Sequence, residues 1–294
     1  MCFENGTEIK SVVDVVNVGL NSKNYFFRGE AEPFLLPMPG IFRERNWAFL
    51  KRTNDTGKTE QKKVSDFDHE ETERLRGAES KLIYKFKRLA PGLKSDLPGE
   101  ANPLNNLKWL FLMQHHGMPT RLLDWTQNIL VAVFNAVCKP DDKDGQLWTI
   151  MPKDLNSKSD IGWTFPIPGN PVVEYLAREM FYAHDKKDGL LKNIREETKS
   201  NIAKSPVWPV AILPPLAWPR MIAQSSVFTL HPKPTKSNAV FPEEAGLRRH
   251  VILAKYKKSI RRNLREMGIL YRTLYPELDS IAKDEKSRLY DDKV

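Results

Sequence analysis

The alternation of apolar and polar positions predicts a set of short strands spread along the chain. The first is NYFFRGE (24–30), which is rich in aromatic residues and ends with Arg28 and Gly29. Further strands are predicted where β-branched and aromatic residues cluster between turn signals. These are QLWTIM (146–151), VWPVAIL (207–213), SVFTLH (226–231) and HVILAKY (250–256).

Helical periodicity predicts several helices between these strands. Leu75 to Leu89 places its apolar residues on one side, and a second helix begins at Asn102-Pro103 and ends at Gly117. The stretch QNILVAVFNAV (127–137) is apolar nearly all round, which indicates a buried helix. MPTRLLDWT (118–126) is interpreted as the turn before it. Further helices are predicted to begin at Asn170-Pro171 and to close the chain after Tyr275.

Strands and helices mix without regular βαβ alternation, which favours an α+β fold with a mixed or antiparallel β core. No stretch of the sequence marks a boundary, so residues 1–294 are predicted to form a single domain. The polar stretches 51–72 and 184–205 are predicted to be insertions, the first exposed and mobile.

The composition is that of a globular chain, with 40% apolar and 28% charged residues among 294. No run approaches the roughly 20 apolar residues of a membrane span, and the N-terminus lacks the pattern of a signal peptide. With only two cysteines, neither a disulfide framework nor a cysteine metal cluster is expected. We therefore expect a cytoplasmic protein without a metal. Phosphate-binding loops, HExxH and Gly-x-Ser-x-Gly are missing from the sequence.

The net charge of +9 is concentrated in residues 248–272, where nine basic residues face one acidic residue, Glu266. The spacing of Tyr256, Ile260, Leu264 and Met267 predicts a helix with one apolar face. Basic residues on its other faces are candidates for binding nucleic acid, either RNA or single-stranded DNA. A solvated helix face is the alternative. The candidates are Lys257, Lys258, Arg261, Arg262 and Arg265.

Three segments carry more polar side chains than packing requires. In FFRGE (26–30), Arg28 is suited to clamp a phosphate or carboxylate, and Gly29 allows a ligand to approach the backbone; a surface arginine beside a turn glycine is the alternative. In PRMIAQSSVFTLH (219–231), Arg220 and Gln224 are suited to hold hydroxyls or phosphates, or else to bond the backbone at a sheet edge.

The middle segment, QHHGMPTRLLDWTQN (114–128), lies between two apolar helices. Its polar groups must satisfy one another or bind a ligand. An Arg121–Asp124 pair that braces the turn, with Asp124 or Thr126 as a helix cap, and a ligand site are both consistent with the pattern.

These three segments, in this order, resemble the FRG-domain family, which takes its name from a Phe-Arg-Gly motif found here at Phe27–Gly29. The resemblance includes Glu79 in AESKLIYKFKR and the closing LREMGILYRTLYPELDSIA, and covers nearly the whole chain. Two positions depart from the family pattern. His116 stands where an aromatic residue is expected, and Ser226 where glycine is more usual.

The order of parts also resembles that of ADP-ribosyltransferases. This resemblance implies that NAD is the substrate and that Phe27, Arg28, Gly29, Thr126 and Arg220 hold it. It implies catalytic roles among a partly overlapping set. That set is Arg28, His115, Thr120, Arg121, Asp124 and Gln224.

In this resemblance Arg28 contacts phosphate or ribose, Gly29 offers its backbone to nicotinamide, and Thr120 or Thr126 supplies the hydroxyl. The late glutamate of these enzymes has no counterpart, because neither Glu-x-Glu nor Gln-x-Glu stands near Gln224. Asp124, His115 and Glu79 are the candidates to replace it.

Together these resemblances imply an enzyme that transfers ADP-ribose from NAD to nucleic acid, with RNA favoured, although protein is an equally possible acceptor. The role expected is an intracellular toxin or an antiphage-defence effector with an antitoxin protein as partner. A non-catalytic module that binds nucleic acid or protein is the first alternative. The second is a metal-independent nuclease that uses His115 or His231 with Arg121.

Overall fold

A computed structural model gives the fold of most of the chain. The residues it describes are 3–33, 36–43, 51–53, 59–61, 67–94, 96–99, 106–138, 142–159, 170, 173–174, 176–177, 208–215, 218–232, 241–242 and 245–291.

The centre of the fold is a seven-stranded sheet in the order β1-β9-β6-β2-β5-β8-β7. The edge strand β1 runs parallel to β9, and every other neighbouring pair is antiparallel. A separate two-stranded hairpin joins β3 and β4. The strands are β1 (Glu4–Ile9), β2 (Phe26–Glu30), β3 (Lys51–Thr53), β4 (Thr59–Gln61), β5 (Leu122–Thr126), β6 (Gly145–Ile150), β7 (Val210–Ile212), β8 (Ser226–Leu230) and β9 (Arg248–Ile252).

Helices connect these strands and cover the sheet. Several begin with the expected side-chain caps, such as Ser11 before the first helix and Asp68 before the second, each in a capping box. The α-helices of the described residues are α1 (Val12–Leu20), α2 (His69–Leu89), α3 (Asn106–His115), α4 (Ile129–Val137), α5 (Pro152–Lys158), α6 (Pro219–Ala223), α7 (Ala254–Glu266), α8 (Tyr271–Leu274) and α9 (Leu278–Asp291), and short 3-10 helices form at Gly40–Phe42 and Ala90–Gly92.

One face of the sheet is covered by α1, α4 and α7. Phe27 of β2 and Leu147 of β6 point into this layer and contact the apolar side chains of α4. The approach of α4 to β2 is very close, because a Cβ at Gly29 would lie 1.7 Å from the carbonyl oxygen of Ala132. The glycine of the Phe-Arg-Gly motif therefore allows the helix to pack on the sheet.

The opposite face carries a second core around Trp125 and Trp148, which packs with Leu155 of α5. A third core lies at the β7 end, where α3 packs on Leu122 of β5 and Phe228 of β8. β5 is therefore buried on both of its faces, except at Asp124.

The prediction of an α+β fold is confirmed, as are the strands at FFRGE, QLWTI, VAI and SVFTL. The predicted strand HVILAKY (250–256) is observed over Arg248–Ile252, and from Ala254 onward its residues belong to α7. The prediction of a turn over 118–126 is wrong, because Leu122–Thr126 forms the strand β5. Its apolar residues face cores on both sides, so the sequence lacks the alternation that identifies a half-buried strand.

The predicted helices at 75–89, 127–137 and the C-terminus are confirmed, and the helix from Asn102-Pro103 is observed over Asn106–His115. Its predicted start and the insertion 184–205 lie outside the described residues. The first predicted insertion contains the hairpin β3–β4 and the beginning of α2. After Asn170-Pro171, residues 173–174 and 176–177 are helical. Within the described ranges, every helix is too short or too polar to cross a bilayer.

Candidate functional site

The sheet opens between its two middle strands. β2 and β5 form one residue pair, Phe27–Thr126, whereas each of them forms five pairs with its other neighbour. Beyond that pair the strands diverge, and a cleft of about 340 Å³ lies where they separate. Residues from β2, β5, the end of α3 and the loop around Gly40 line it. They are Arg28, Gly40, Arg43, Gln114, Gly117, Met118, Pro119, Leu122, Leu123 and Asp124.

Arg28 crosses the cleft from β2 to β5. Its Nε and Nη2 lie 2.7 and 2.5 Å from Oε1 of Glu30, and its Nη1 donates to the backbone carbonyl of Asp124 at 2.7 Å. These contacts use three of the five N–H groups of the guanidinium. The side chain is 13% exposed. Arg28 is therefore held in one orientation while part of it still reaches the cleft.

A second arginine approaches the same carboxylate. Nη2 of Arg43 lies 3.6 Å from Oε1 of Glu30, and its Nε donates to the carbonyl of Met38. Glu30 is itself 10% exposed. One carboxylate thus orients two guanidinium groups at the wall of the cleft, which is an arrangement suited to an anionic ligand.

Asp124 is the exposed position of β5. Its Oδ2 accepts a hydrogen bond of 2.9 Å from Nε2 of Gln114, and Oε1 of Gln114 in turn accepts 2.6 Å from the hydroxyl of Thr120. The hydroxyl of Thr120 also accepts from the amide of Leu122. The Asp124 carboxylate is therefore held by the side-chain amide of Gln114, which the Thr120 hydroxyl holds in turn.

One of the predicted NAD contacts lies on the face of β2 opposite to Arg28. Phe27 is buried in the layer that contacts α4, so the prediction that its side chain contacts a ligand together with Arg28 is wrong, because successive side chains of a strand point to opposite faces. The Cβ position of Gly29 lies against the backbone of Ala132, and its expected backbone contact with nicotinamide stays a prediction. Of FFRGE, it is Arg28 that lines the cleft.

Arg121 forms a buried brace, and its predicted partner, Asp124, is not the one observed. Its Nε and Nη2 lie 3.1 and 2.5 Å from the two carboxylate oxygens of Glu79 on α2. The two side chains are 1% and 3% exposed, and Nη1 of Arg121 has no hydrogen-bond partner among the residues that the structure describes. Both therefore tie α2 to the sheet, out of reach of a ligand. Thr120, also 1% exposed, has a structural hydroxyl as well.

His231 lies beside Arg121 in the same interior. Its Nε2 is 3.0 Å from the hydroxyl of Thr229, which accepts from the indole of Trp125. Burial, and then the charges of Arg121 and Arg28, lower the pKa of His231 to about 3. A neutral imidazole that is 1% exposed does not reach a substrate. The nuclease alternative based on His231 and Arg121 is therefore not supported by their positions.

The third segment is attached to the C-terminal part of the chain. Nε2 of Gln224 donates to the carbonyl of Leu274, and the guanidinium of Arg220 lies 4.6 Å from the ring centre of Tyr275. The hydroxyl of Thr126 donates to the backbone carbonyl of Gln224 at 2.6 Å. These three predicted site residues connect β5, α6 and α8, and none of them lines the cleft.

His115 lies at the end of α3, next to Gln114. Its ring stacks on Trp218, with 5.4 Å between ring centres and 11° between planes. Burial, followed by the neighbouring His116 and Arg220, lowers its pKa. His115 is outside the cleft lining but adjoins the residue that holds Asp124.

The basic helix α7 is rotated relative to the predicted orientation. Lys257 is fully buried and its Nζ donates to the carbonyl of Ala31 at 2.7 Å, while Arg261 donates to the carbonyl of Val137 at 2.7 Å. The prediction that these two cations face a nucleic acid is wrong. Arg262 is exposed, and Lys258 and Arg265 are partly exposed.

Residues 23–145 match the FRG domain. The resemblance to the FRG domain is confirmed over these residues, which make up less than half of the chain. The matched part of the FRG domain contains Arg28, the buried Glu79 and the whole segment 114–128, whereas the segment that follows Trp218 lies beyond it. No curated protein and no solved structure matches the chain.

In the structure the three motif segments meet on neighbouring strands. FFRGE forms β2, LLDWT forms β5, and SVFTL forms β8, and these three strands are consecutive in the sheet. Only the first two contribute side chains to the cleft. Sequence reasoning missed Glu30, Arg43 and the role of Gln114, although the acidic residue two positions after Arg28 points to the same face of a strand and was a usable signal.

Proposed function

We propose that the cleft between β2 and β5 binds NAD and that the protein transfers ADP-ribose from it to a nucleic acid. The observation that carries the proposal is the hydrogen bond from Arg28 to the backbone of Asp124, which brings the first and second motif segments together at one cleft. A cleft of about 340 Å³ has the size of an ordinary small-ligand site and takes part of such a dinucleotide.

Arg28 and Arg43 would hold the diphosphate, because guanidinium groups donate in pairs to phosphate oxygens. Glu30 keeps both arginines oriented in advance of binding. Pre-oriented donors raise affinity since less side-chain entropy is lost when the ligand binds. In this assignment Arg28 and Arg43 hold the diphosphate, and the buried Phe27 makes no contact with NAD.

Asp124 would take the role of the late glutamate of ADP-ribosyltransferases, which has no counterpart near Gln224 in this sequence. Of the residues that line the cleft, all of them in the described part of the chain, only Asp124 carries a carboxylate. When the bond between ribose and nicotinamide breaks, its electron pair leaves with the nicotinamide nitrogen, and positive charge develops on the sugar. A fixed carboxylate stabilises that charge. The acceptor then bonds to the anomeric carbon and releases a proton, for which Asp124 is the nearest cleft base.

The nucleic-acid acceptor is supported by the charge of the protein. The net charge is +9, and α7 still presents Lys258, Arg262 and Arg265 with partial or full exposure after Lys257 and Arg261 are assigned to the interior. Such contacts are made to phosphates, so they predict binding that weakens steeply with salt. A cellular role as a toxin or antiphage effector, with an antitoxin partner, would follow from modification of RNA or DNA.

The proposal is tested with NAD labelled in its adenosine part, incubated with the full chain and RNA, single-stranded DNA or lysate. We expect label on a macromolecule, with a loss on the order of 100-fold in Asp124→Asn, which removes the charge but keeps the shape. Arg28→Ala should lose activity together with NAD binding. Asp96→Asn, an exposed aspartate that does not line the cleft, is the matched control.

A different result would assign the cleft another function. Neither transfer nor nicotinamide release with any acceptor, while NAD fails to bind, contradicts the proposal. Transfer that Asp124→Asn leaves unchanged removes Asp124 from the mechanism.

A non-catalytic binding module is the second candidate, and the bonding within the cleft favours it. Arg28 is already bonded to Glu30 and Asp124, and Gln114 is already bonded to Asp124 and Thr120. A set of mutually satisfied groups is stable without a substrate. This candidate predicts polyanion binding in the absence of any NAD turnover, so the same assay distinguishes the two.

A further inference from the structure

Four aromatic rings meet at the end of α3, beside the cleft. His115 stacks on Trp218, its ring centre is 5.0 Å from that of His116, and His116 is 6.5 Å from Phe86 of α2. We call Phe86, His115, His116 and Trp218 the aromatic shelf. The shelf is built from three separate elements, α2, α3 and the residue before α6.

The shelf is anchored on one side and open on the other. Phe86 and Trp218 are partly buried and pack against the core formed under α3. His116 is exposed, and His115 is partly exposed. The rings are therefore held by the core but remain accessible from solvent, as is required of a surface on which another flat ring stacks.

The surroundings of the shelf are cationic. Arg220 and Lys94 both act on His115 as positive charges, and Glu277 is the negative charge that faces it. Burial, and then the charges of His116 and Arg220, lower the pKa of His115. Aromatic rings beside cationic side chains combine a stacking platform with phosphate-binding charge, the combination used for single-stranded nucleic acid.

The shelf also has a fixed relation to the candidate reaction centre. Gln114 immediately precedes His115 on α3, and its Nε2 lies 2.9 Å from the carboxylate of Asp124. The shelf therefore adjoins the residue that holds the Asp124 carboxylate at the cleft.

We propose that the aromatic shelf binds an unpaired nucleobase, and hence that the nucleic acid recognised by this protein is single-stranded. This inference deepens the proposed function by naming the form of the acceptor. In a duplex the base faces are stacked on one another and hidden from a protein surface, whereas in a single strand each base offers its ring. Arg220 and Lys94 would contact the phosphates next to that base.

The test measures binding of fluorescent RNA and DNA octamers, single-stranded and duplex, to the full chain without NAD. Trp218→Leu keeps apolar volume against the core but removes the ring, and it should weaken single-strand binding on the order of tenfold. Trp218→Phe keeps a ring and should stay close to wild type. Ile222→Ala, 58% exposed on the adjoining helix α6, is the matched control and should not change affinity.

Comparison of the two Trp218 variants separates stacking from stability, because both alter packing and only one lacks an aromatic face. The unfolding midpoint of each variant is measured alongside. Equal loss in Trp218→Leu and Trp218→Phe, duplex binding as tight as single-strand binding, or no single-strand binding by the wild type would each overturn the proposal.

Nicotinamide release from NAD in water is measured separately on the same variants. Release that persists in Trp218→Leu while octamer binding is lost supports both proposals. Normal octamer binding without any release supports the shelf and contradicts the NAD chemistry.

Discussion

Two arginines of this protein are each paired with a glutamate, but one pair is open to solvent and the other is sealed in the interior. Arg28 is paired with Glu30 and Arg121 with Glu79, each with a closest contact of 2.5 Å. Arg28 is 13% exposed at a cleft, whereas Arg121 is 1% exposed between α2 and the sheet. The open pair leaves its cation within reach of the cleft, as the proposed function requires. The sealed pair holds two elements together.

The largest expected effect comes from breaking the sealed pair. Glu79→Ala leaves Arg121 buried without its counter-charge, and loss of one partner of a buried pair costs about 3–5 kcal/mol. Urea unfolding of the full chain, followed by circular dichroism, measures it. Glu70→Ala on the same helix removes an exposed pair with Arg74 and should change little. Similar small losses for both variants would show that Arg121 is not a brace.

The next effect tests whether the glycine beside Arg28 serves the core. In Gly29→Ala the new Cβ meets the carbonyl oxygen of Ala132, so α4 must move, and overpacking of this kind costs about 1–3 kcal/mol. Gly77→Ala on α2 is the control, because nothing lies within 4 Å of its Cβ position and alanine favours a helix. Thermal unfolding of both variants measures the contrast. An unchanged unfolding temperature in Gly29→Ala would contradict the role of Gly29 in the packing of α4 on β2.

The sealed region should also respond to pH through His231. Its pKa is about 3 in the folded protein and about 6.5 when unfolded, so between these values the unfolded chain binds more protons. The contribution of His231 is fully present above pH 6.5 and is lost as the pH falls. The loss in the free energy of unfolding amounts to about 2 kcal/mol at pH 5.

This loss is measured as the unfolding free energy of the wild type and His231→Gln at pH 7 and pH 5. The variant should lose less stability than the wild type on acidification, whereas the exposed His116→Gln should follow the wild type. Parallel curves for all three proteins would contradict a neutral buried His231.

The smallest change in stability is expected at the open pair. Arg28→Lys keeps the charge and the partly exposed position, so we expect a loss of under about 1 kcal/mol. Lysine lacks the planar fork, so NAD binding should weaken by calorimetry although the fold persists. Arg121→Lys should show the reverse pattern of a clear loss of stability. Equal losses in the free energy of unfolding for Arg28→Lys and Arg121→Lys would contradict the distinction between the open pair and the sealed pair.

The fold class and most elements could be predicted, because strands such as FFRGE and helices such as α4 carry their own periodicity. β5 was missed because a short strand between two cores shows no alternation. On α7 the buried side chains are Lys257, Ile260, Arg261 and Leu264. A sequence pattern assigns lysine and arginine to the surface. It does not show that the backbone carbonyls of Ala31 and Val137 accept hydrogen bonds from these two cations in the interior.

Of the candidate site, Arg28 and Asp124 were predicted and do line one cleft. The roles of Glu30 and Arg43 depend on which side chains a diverging pair of strands leaves exposed, and that divergence is a tertiary property. The same limit applied to Arg121, whose partner Glu79 is 42 positions away in the chain.

The anchoring of α7 has a consequence for the boundaries of the FRG segment. The matched residues 23–145 contain β2 and β5, but β6 begins at the last matched residue and β8 lies wholly outside. In a fragment of residues 23–145, β2 would lack its neighbour β6 and β5 would lack its neighbour β8, so each strand would have one unpaired edge. Unpaired strand edges recruit other chains, so such a fragment should aggregate instead of folding. Expression of this protein should therefore keep its C-terminal third. There Lys257 donates a hydrogen bond to the carbonyl of Ala31, just after β2, and Arg261 donates to the carbonyl of Val137 at the end of α4.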